Sequence, residues 1–150
     1  MSATTAPPTV PGYVNVVVKA LLRSPLHRVM SRNTMLLTFT GRKSGNRYTA
    51  VVRYFPDGEV LNCYTDSKWW QNLRGGAPVQ LLLAGRTVTA VATPITDPTA
   101  VAQSLGKFLS AMPGDSKYYG VRNRDDGTPD PGDIVAAAQY TTLVRIEPAR

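Results

Sequence analysis

Four cations crowd one bend of the chain: Arg42, Lys43, Arg47 and Arg53 lie in or just after Thr40-Gly41-Arg42-Lys43-Ser44-Gly45. Like charges held this close repel each other, so an anionic guest is the direct explanation for gathering them. Gly41 and Gly45 allow a tight bend in which successive backbone N–H groups can point into one concavity, a recurring way of binding anions. Arg42 and Lys43 add full charges and Ser44 a hydroxyl donor, and an arginine can meet a phosphate bidentately. The alternative is a solvated hairpin tip whose charges are incidental. Residue chemistry leaves both open.

A second stretch with chemical potential is Thr65-Asp66-Ser67-Lys68-Trp69-Trp70-Gln71-Asn72-Leu73, which holds both tryptophans. Neighbours on a helix diverge by about 100°. One indole can therefore line a cleft for a planar aromatic guest while the other packs inward. The expectation is that Trp69 lines the cleft and Trp70 is the more buried. The alternative is that both rings are core.

Several chemistries are set aside. One cysteine, Cys63, excludes an intrachain disulfide, and it sits in an apolar, strand-like run where it reads as a small packed hydrophobe rather than a nucleophile. With one histidine, His27, and no CxxC or HxxxH spacing, no metal site is expected. The glycines fit neither a Walker nor a dinucleotide fingerprint.

The net charge of +7 is unevenly spread: residues 1–56 hold eight basic residues and no acidic one, and the first acid is Asp57. The remainder, with nine basic and ten acidic residues, is close to neutral. That asymmetry points to a local anionic partner: a phosphate-bearing small molecule, a lipid surface or nucleic acid. Nucleic acid fits least, because the cations lie at a turn and a helix without interleaved exposed aromatics. No apolar run follows the N-terminus as a signal peptide requires, and none approaches the ~20 residues of a membrane span. The expected location is cytoplasmic, with peripheral contact at the inner face of the membrane left open.

The elements that must position these residues follow from pattern. Residues 1–12 read as a loose arm, and residues 13–150 as one domain. Tyr13 to Met30 suits a helix, with Val14, Val17, Val18, Leu21 and Leu22 at helical spacing and Lys19, Arg23 and His27 on another face. Its basic face is either simply solvated or in contact with anionic lipid. Met35–Thr40 and Thr49–Phe55 flank the cationic turn as strands. Pro56-Asp57-Gly58 reads as a turn and Val60–Thr65 as a third strand. A short helix fits Ser67–Arg74, capped by Asp66 or Ser67 and stopped by Gly75-Gly76. Val79–Leu83 and Thr87–Thr93 flank Ala84-Gly85-Arg86. Asp97-Pro98 opens a helix to about Met112, Ser116–Pro131 reads as polar loop, Asp133–Ala138 as helix and Thr141–Ile146 as a last strand. The fold expected is α+β: a small barrel of about six mostly antiparallel strands with peripheral helices.

Gly-Arg-Lys-Ser-Gly after an apolar strand, then a strand pair, then Trp-Trp-Gln-Asn-Leu before Ala-Pro-Val, resembles the deazaflavin-dependent nitroreductase family over roughly Met35 to Val91. That actinobacterial family has a split β-barrel and binds coenzyme F420. The resemblance implies that Arg42, Lys43, Ser44 and Gly45 hold the coenzyme's phosphate. Backbone along Thr49, Ala50, Val51 and Val52 would lie under its ring, with Thr65, Ser67 and Lys68 at the ring's polar edge. Trp69 would wall the pocket and Asn72 support the loop. Tyr118 and Tyr119 correspond loosely to tyrosines on the family's substrate side, where a hydroxyl could donate a proton as hydride arrives; packing of their loop is the alternative. The chain departs from the family in having Arg47-Tyr48 where a Pro-Arg pair is common, and a shorter loop before the Trp helix. It is closer there to a quinone-reductase or lipid-associated branch.

The function implied is hydride transfer from reduced F420, with FMN as the alternative cofactor, to a hydrophobic acceptor such as a quinone, enone, unsaturated lipid or nitroaromatic. The competing expectation is a non-catalytic split barrel that binds a fatty acid or other lipid at the membrane surface. Monomer and homodimer both remain open.

Overall fold

The computed structural model describes residues 34–149. The arm over residues 1–12 and the helix expected at Tyr13–Met30 lie outside them. The chain divides into two compact units, one holding the sheet and the other residues 64–66 and 95–143.

The first unit is built on strands β1 (Thr34–Thr40), β2 (Arg47–Arg53), β3 (Phe55–Asp57), β4 (Val60–Thr65), β5 (Ala77–Leu83), β6 (Arg86–Ile95) and β7 (Thr142–Pro148). They form a seven-stranded sheet in the order β2-β1-β5-β6-β7-β4-β3. β1 runs antiparallel to β2, with Phe39 opposite Tyr48 and Leu37 opposite Ala50, and antiparallel to β5, with Leu37 opposite Leu81. Alternation in β1 sends Met35, Leu37 and Phe39 into a core with Leu61, Cys63, Leu73, Leu81, Val144 and Ile146. Leu36 and Leu82, on the opposite face, form a separate buried pair.

Two turns differ in how well sequence foretold them. The β5–β6 hairpin turns on Ala84 and Gly85, both at positive φ (51° and 80°), the conformation that matches the twist of a two-residue hairpin. Pro56-Asp57, by contrast, is strand rather than turn. β3 pairs with β4 through Phe55–Asn62, Pro56–Leu61 and Asp57–Val60, and the chain reverses at Gly58-Glu59. Proline lacks an N–H for a ladder, but β3 ends the sheet among the described residues, where that loss is tolerated. With it the sheet has seven strands among the described residues, close to the six or so expected.

The second unit is helical. α1 (Pro98–Ala111) starts where the Asp97 carboxylate accepts Ala100 N–H at 3.1 Å, and it buries Val101, Leu105, Phe108 and Leu109. α2 (Pro131–Ala138) buries Ile134 and Ala138. α2 begins before the expected Asp133 because Asp130 caps it, its carboxylate accepting Asp133 N–H at 3.0 Å. Part of the expected polar loop is a 3-10 helix, Pro113–Tyr119, ended by Gly120 at φ 69°. Arg122 closes the loop onto α2, its Nε and Nη2 donating to the Asp133 carboxylate at 2.8 and 3.1 Å.

Candidate functional site

The cationic turn joins β1 to β2, and its backbone is heavily tied to itself. Gly41 N–H donates to Asn46 O at 2.7 Å and Gly45 N–H to Gly41 O at 2.9 Å. Asn46 N–H donates to Ser44 Oγ at 3.1 Å, and Arg42 N–H leaves the turn to reach Asn72 Oδ1 at 2.9 Å. Gly45 sits at φ 73°, where a side chain would be strained. The expected fan of open N–H groups is thus narrower than the glycine count suggested. Within the turn, the N–H groups to which the described residues offer no acceptor are the adjacent pair of Lys43 and Ser44. Arg42 and Lys43 are exposed, and among the described residues their side chains make no ion pair or hydrogen bond. The result is two cations and two neighbouring donors at one tip, chemistry suited to an oxyanion.

The tryptophan stretch forms a 3-10 helix, Lys68–Leu73, with Ser67 in the N-cap position but no side-chain cap bond. The burial order of the indoles is the reverse of that expected. Trp69 is 4% exposed and stacks on Phe39 at 5.5 Å and 24°, while Trp70 is half-buried at the edge of the same core. Trp69 and Leu73 are the buried residues of this helix, Trp69 against Phe39 of β1. Trp70 instead has the Arg74 guanidinium over its ring at 5.4 Å. Asn72 ties the two stretches together, since its Nδ2 donates to Trp69 O at 2.9 Å while its Oδ1 holds Arg42.

No protein-family model matches the chain, and no curated protein matches it. Solved structures do. A candidate pyridoxamine 5'-phosphate oxidase from Listeria innocua superposes with a TM-score of 0.51 at 12% identity, over 89% of this chain and 94% of that one. A protein of unknown function from Agrobacterium tumefaciens gives 0.52 at 14% identity, over 97% of this chain and 57% of that one. The fold is a split β-barrel. An F420 reductase superposes more loosely, with a TM-score of 0.44 at 15% identity over 88% of this chain and 93% of that one. At such identities the likenesses speak to fold alone.

Within the split barrel, β2 ends the sheet on one side among the described residues. Of the stretch expected under a ring, Thr49, Ala50 and Val52 are half-buried and Val51 is 49% exposed. Thr49 Oγ1 lies 3.0 Å from Thr38 Oγ1 across the strand pair. Ser67 is half-buried and Lys68 exposed, at the start of the 3-10 helix. Thr65 belongs to the helical unit, as do Tyr118 and Tyr119. Tyr118 is 64% exposed with the Lys117 ammonium over its ring at 5.3 Å. Tyr119 is edge-on to Phe108 and Tyr64 at 5.8 and 6.2 Å, so its ring helps pack this unit. The two tyrosines lie at the end of a 3-10 helix, not in the loop expected for them.

Other reactive groups behave as structure. Cys63 is 1% exposed, and burial pushes its thiol far up from the ordinary range, so it stays protonated. Burial, then the neighbouring Cys63, pushes Tyr54 up as well. Among the described residues no group of three or more His, Cys, Asp or Glu could hold a metal. No described helix is long and apolar enough to cross a membrane.

Tyr48 was missed by sequence reasoning. Its hydroxyl lies 3.1 Å from Ser44 Oγ, and its ring packs on Phe39 at 5.8 Å. The available signal was parity: Tyr48, Ala50 and Val52 share the inward face of β2.

Proposed function

We propose that this split barrel is an oxidoreductase that holds a deazaflavin nucleotide, coenzyme F420, with FMN as the alternative, and serves a hydrophobic acceptor. One observation carries the reading: two cations and two adjacent N–H groups at the β1–β2 turn that have no partner among the described residues, on a turn held by Asn72 to the tryptophan helix. The donor set suits a phosphodiester, because every group it offers is a hydrogen-bond donor or a positive charge. The resemblance over Met35 to Val91 supports the same assignment.

On this reading Arg42 and Lys43 neutralise the phosphate, while the N–H groups of Lys43 and Ser44 orient it. Asn72 keeps Arg42 N–H out of competition and the turn in one conformation. The strand β2, at the end of the sheet among the described residues, offers backbone along Thr49, Ala50, Val51 and Val52 to the ring, with Ser67 and Lys68 as polar candidates for its edge. Trp70, with part of its indole accessible, takes over the wall role first given to Trp69. When bound, the reduced cofactor supplies the hydride, which is why the chain needs no nucleophile or metal of its own.

The test is a titration of the full chain with oxidised F420, read as quenching of deazaflavin fluorescence, beside a parallel titration with FMN. Turnover with the reduced form of whichever binds, and a quinone as acceptor, follows. Saturable binding of one cofactor and acceptor-dependent reoxidation are expected. No binding of either at tens of micromolar would overturn the proposal and leave the lipid-binding alternative in its place.

A further inference from the structure

Tyr48 stands opposite Phe39 in the β1–β2 register and reaches back four residues, bringing its hydroxyl to 3.1 Å from Ser44 Oγ. The same Oγ accepts Asn46 N–H at 3.1 Å. A serine hydroxyl has one proton and two lone pairs. A phenol is the stronger acid of the two hydroxyls and its oxygen the poorer acceptor, so Tyr48 donates and Ser44 accepts. Both serine lone pairs are then occupied from within the turn. The serine proton must point elsewhere.

Gly41 is a second, independent sign that this pair is built in. A Cβ at Gly41 would lie 2.6 Å from Ser44 Oγ and 2.6 Å from Tyr48 Cε2. Real Cβ atoms do not come so close, so the tyrosine and serine can meet only over a glycine. Gly41 is itself buried and bonded to Asn46 O, which fixes it beneath the pair.

We infer that Tyr48 is a positioning residue of the anion site, which commits Ser44 to donate outward and so makes the turn selective for a phosphoryl oxygen that carries no proton. This rests on the proposed use of the turn as a phosphate site. Ser44 Oγ–H joins the N–H groups of Lys43 and Ser44 and the two cationic side chains, and no side chain of that set is left to accept a proton from the guest. A phosphodiester meets the condition at any physiological pH. A free phosphate keeps a P–O–H throughout that range, and its second ionisation raises its bare oxygens from two to three.

The full chain is titrated with inorganic phosphate, followed by the amide shifts of Lys43 and Ser44, and separately with oxidised F420, followed by fluorescence. Tyr48→Phe keeps the ring on Phe39 and removes the hydroxyl. It is expected to weaken both ligands by about tenfold, the ordinary worth of one hydrogen bond to a charged group, with melting temperature unchanged. Ser44→Ala should match it, and the double variant should be no weaker than either single one, because the two act through one proton. Wild-type affinity for phosphate should rise with pH through the second ionisation, and Tyr48→Phe should flatten part of that rise by freeing Ser44 to accept.

Unchanged affinity in Tyr48→Phe, or losses that add with Ser44→Ala, would overturn the inference and leave the cofactor site standing. Phosphate binding that needs Tyr48, without any binding of F420 or FMN, would support the inference and sink the cofactor reading. No amide shift with phosphate and no cofactor binding would remove both.

Discussion

Asn72 holds Arg42 by its backbone: Asn72 Oδ1 accepts Arg42 N–H at 2.9 Å across thirty residues of sequence. Its other end is committed too, because Nδ2 donates to Trp69 O at 2.9 Å. One carboxamide therefore sets the distance between the cationic turn and the tryptophan helix. Asn72→Asp would replace a donor with an acceptor facing the Trp69 carbonyl, and Asn72→Ala would release both contacts. Either change is expected to destabilise the fold by about 1–2 kcal/mol and to weaken cofactor binding as the turn loses its anchor. Chemical denaturation beside the fluorescence titration checks this; a variant that binds as the wild type would show that the clip does not organise the site.

Removing the charges should separate binding from stability. Arg42→Ala and Lys43→Ala are each expected to cost about 1.5–3 kcal/mol of cofactor affinity, the range for a charge-assisted hydrogen bond. Melting temperature without cofactor should hold steady, since both side chains are exposed and neither carries an ion pair among the described residues. Normal binding by both variants would reduce the turn to a solvated tip.

The tryptophans should divide the same two properties the other way. Trp69→Ala removes a ring buried against Phe39 and is expected to cost about 3–5 kcal/mol of stability. Trp70→Ala, at the rim of the core, should destabilise less and lower cofactor affinity by about 1–3 kcal/mol, the scale of an aromatic stacking contact. Equal loss of fold in both would return both indoles to a purely structural role.

The helical unit carries a pH-dependent clasp. Hydrogen bonds from Arg122, side chain first and then backbone, hold the Asp133 carboxyl down at about 2, below its ordinary 3.8. A carboxylate whose folded pKa is depressed adds stability that is complete above the unfolded value of about 3.9 and is lost as pH falls towards the folded one. Asp133→Asn should therefore melt below the wild type by a constant margin above about pH 5, and that margin should close between about pH 4 and pH 2. A margin that persists in acid would mean the clasp is steric and not ionic.

What the sequence determined by itself was local. Alternation in Met35–Thr40 gave the strand and its inward face; Asp97-Pro98 marked a helix start, and Gly75-Gly76 a stop. Glycines in Gly41-Arg42-Lys43-Ser44-Gly45 marked the tight turn and its exposed charges, and the apolar surroundings of Cys63 marked its burial. Each depends on contacts within a few residues, or on side-chain periodicity, which one strand or helix fixes without outside help. Tertiary structure decided matters that depend on partners far away in the chain. Pro56 is strand because β3 ends the sheet among the described residues and so has room for a missing donor. Trp69, not Trp70, is buried because Phe39, thirty residues earlier in the chain, supplies the ring it stacks on. The turn has two open donors because Asn72 arrives from thirty residues away to take a third. Ser44 meets Tyr48 because the β1–β2 register sets Tyr48 opposite Phe39, with only Gly41 beneath. Local propensity offers each group a conformation, and the register of the sheet chooses which groups it will meet.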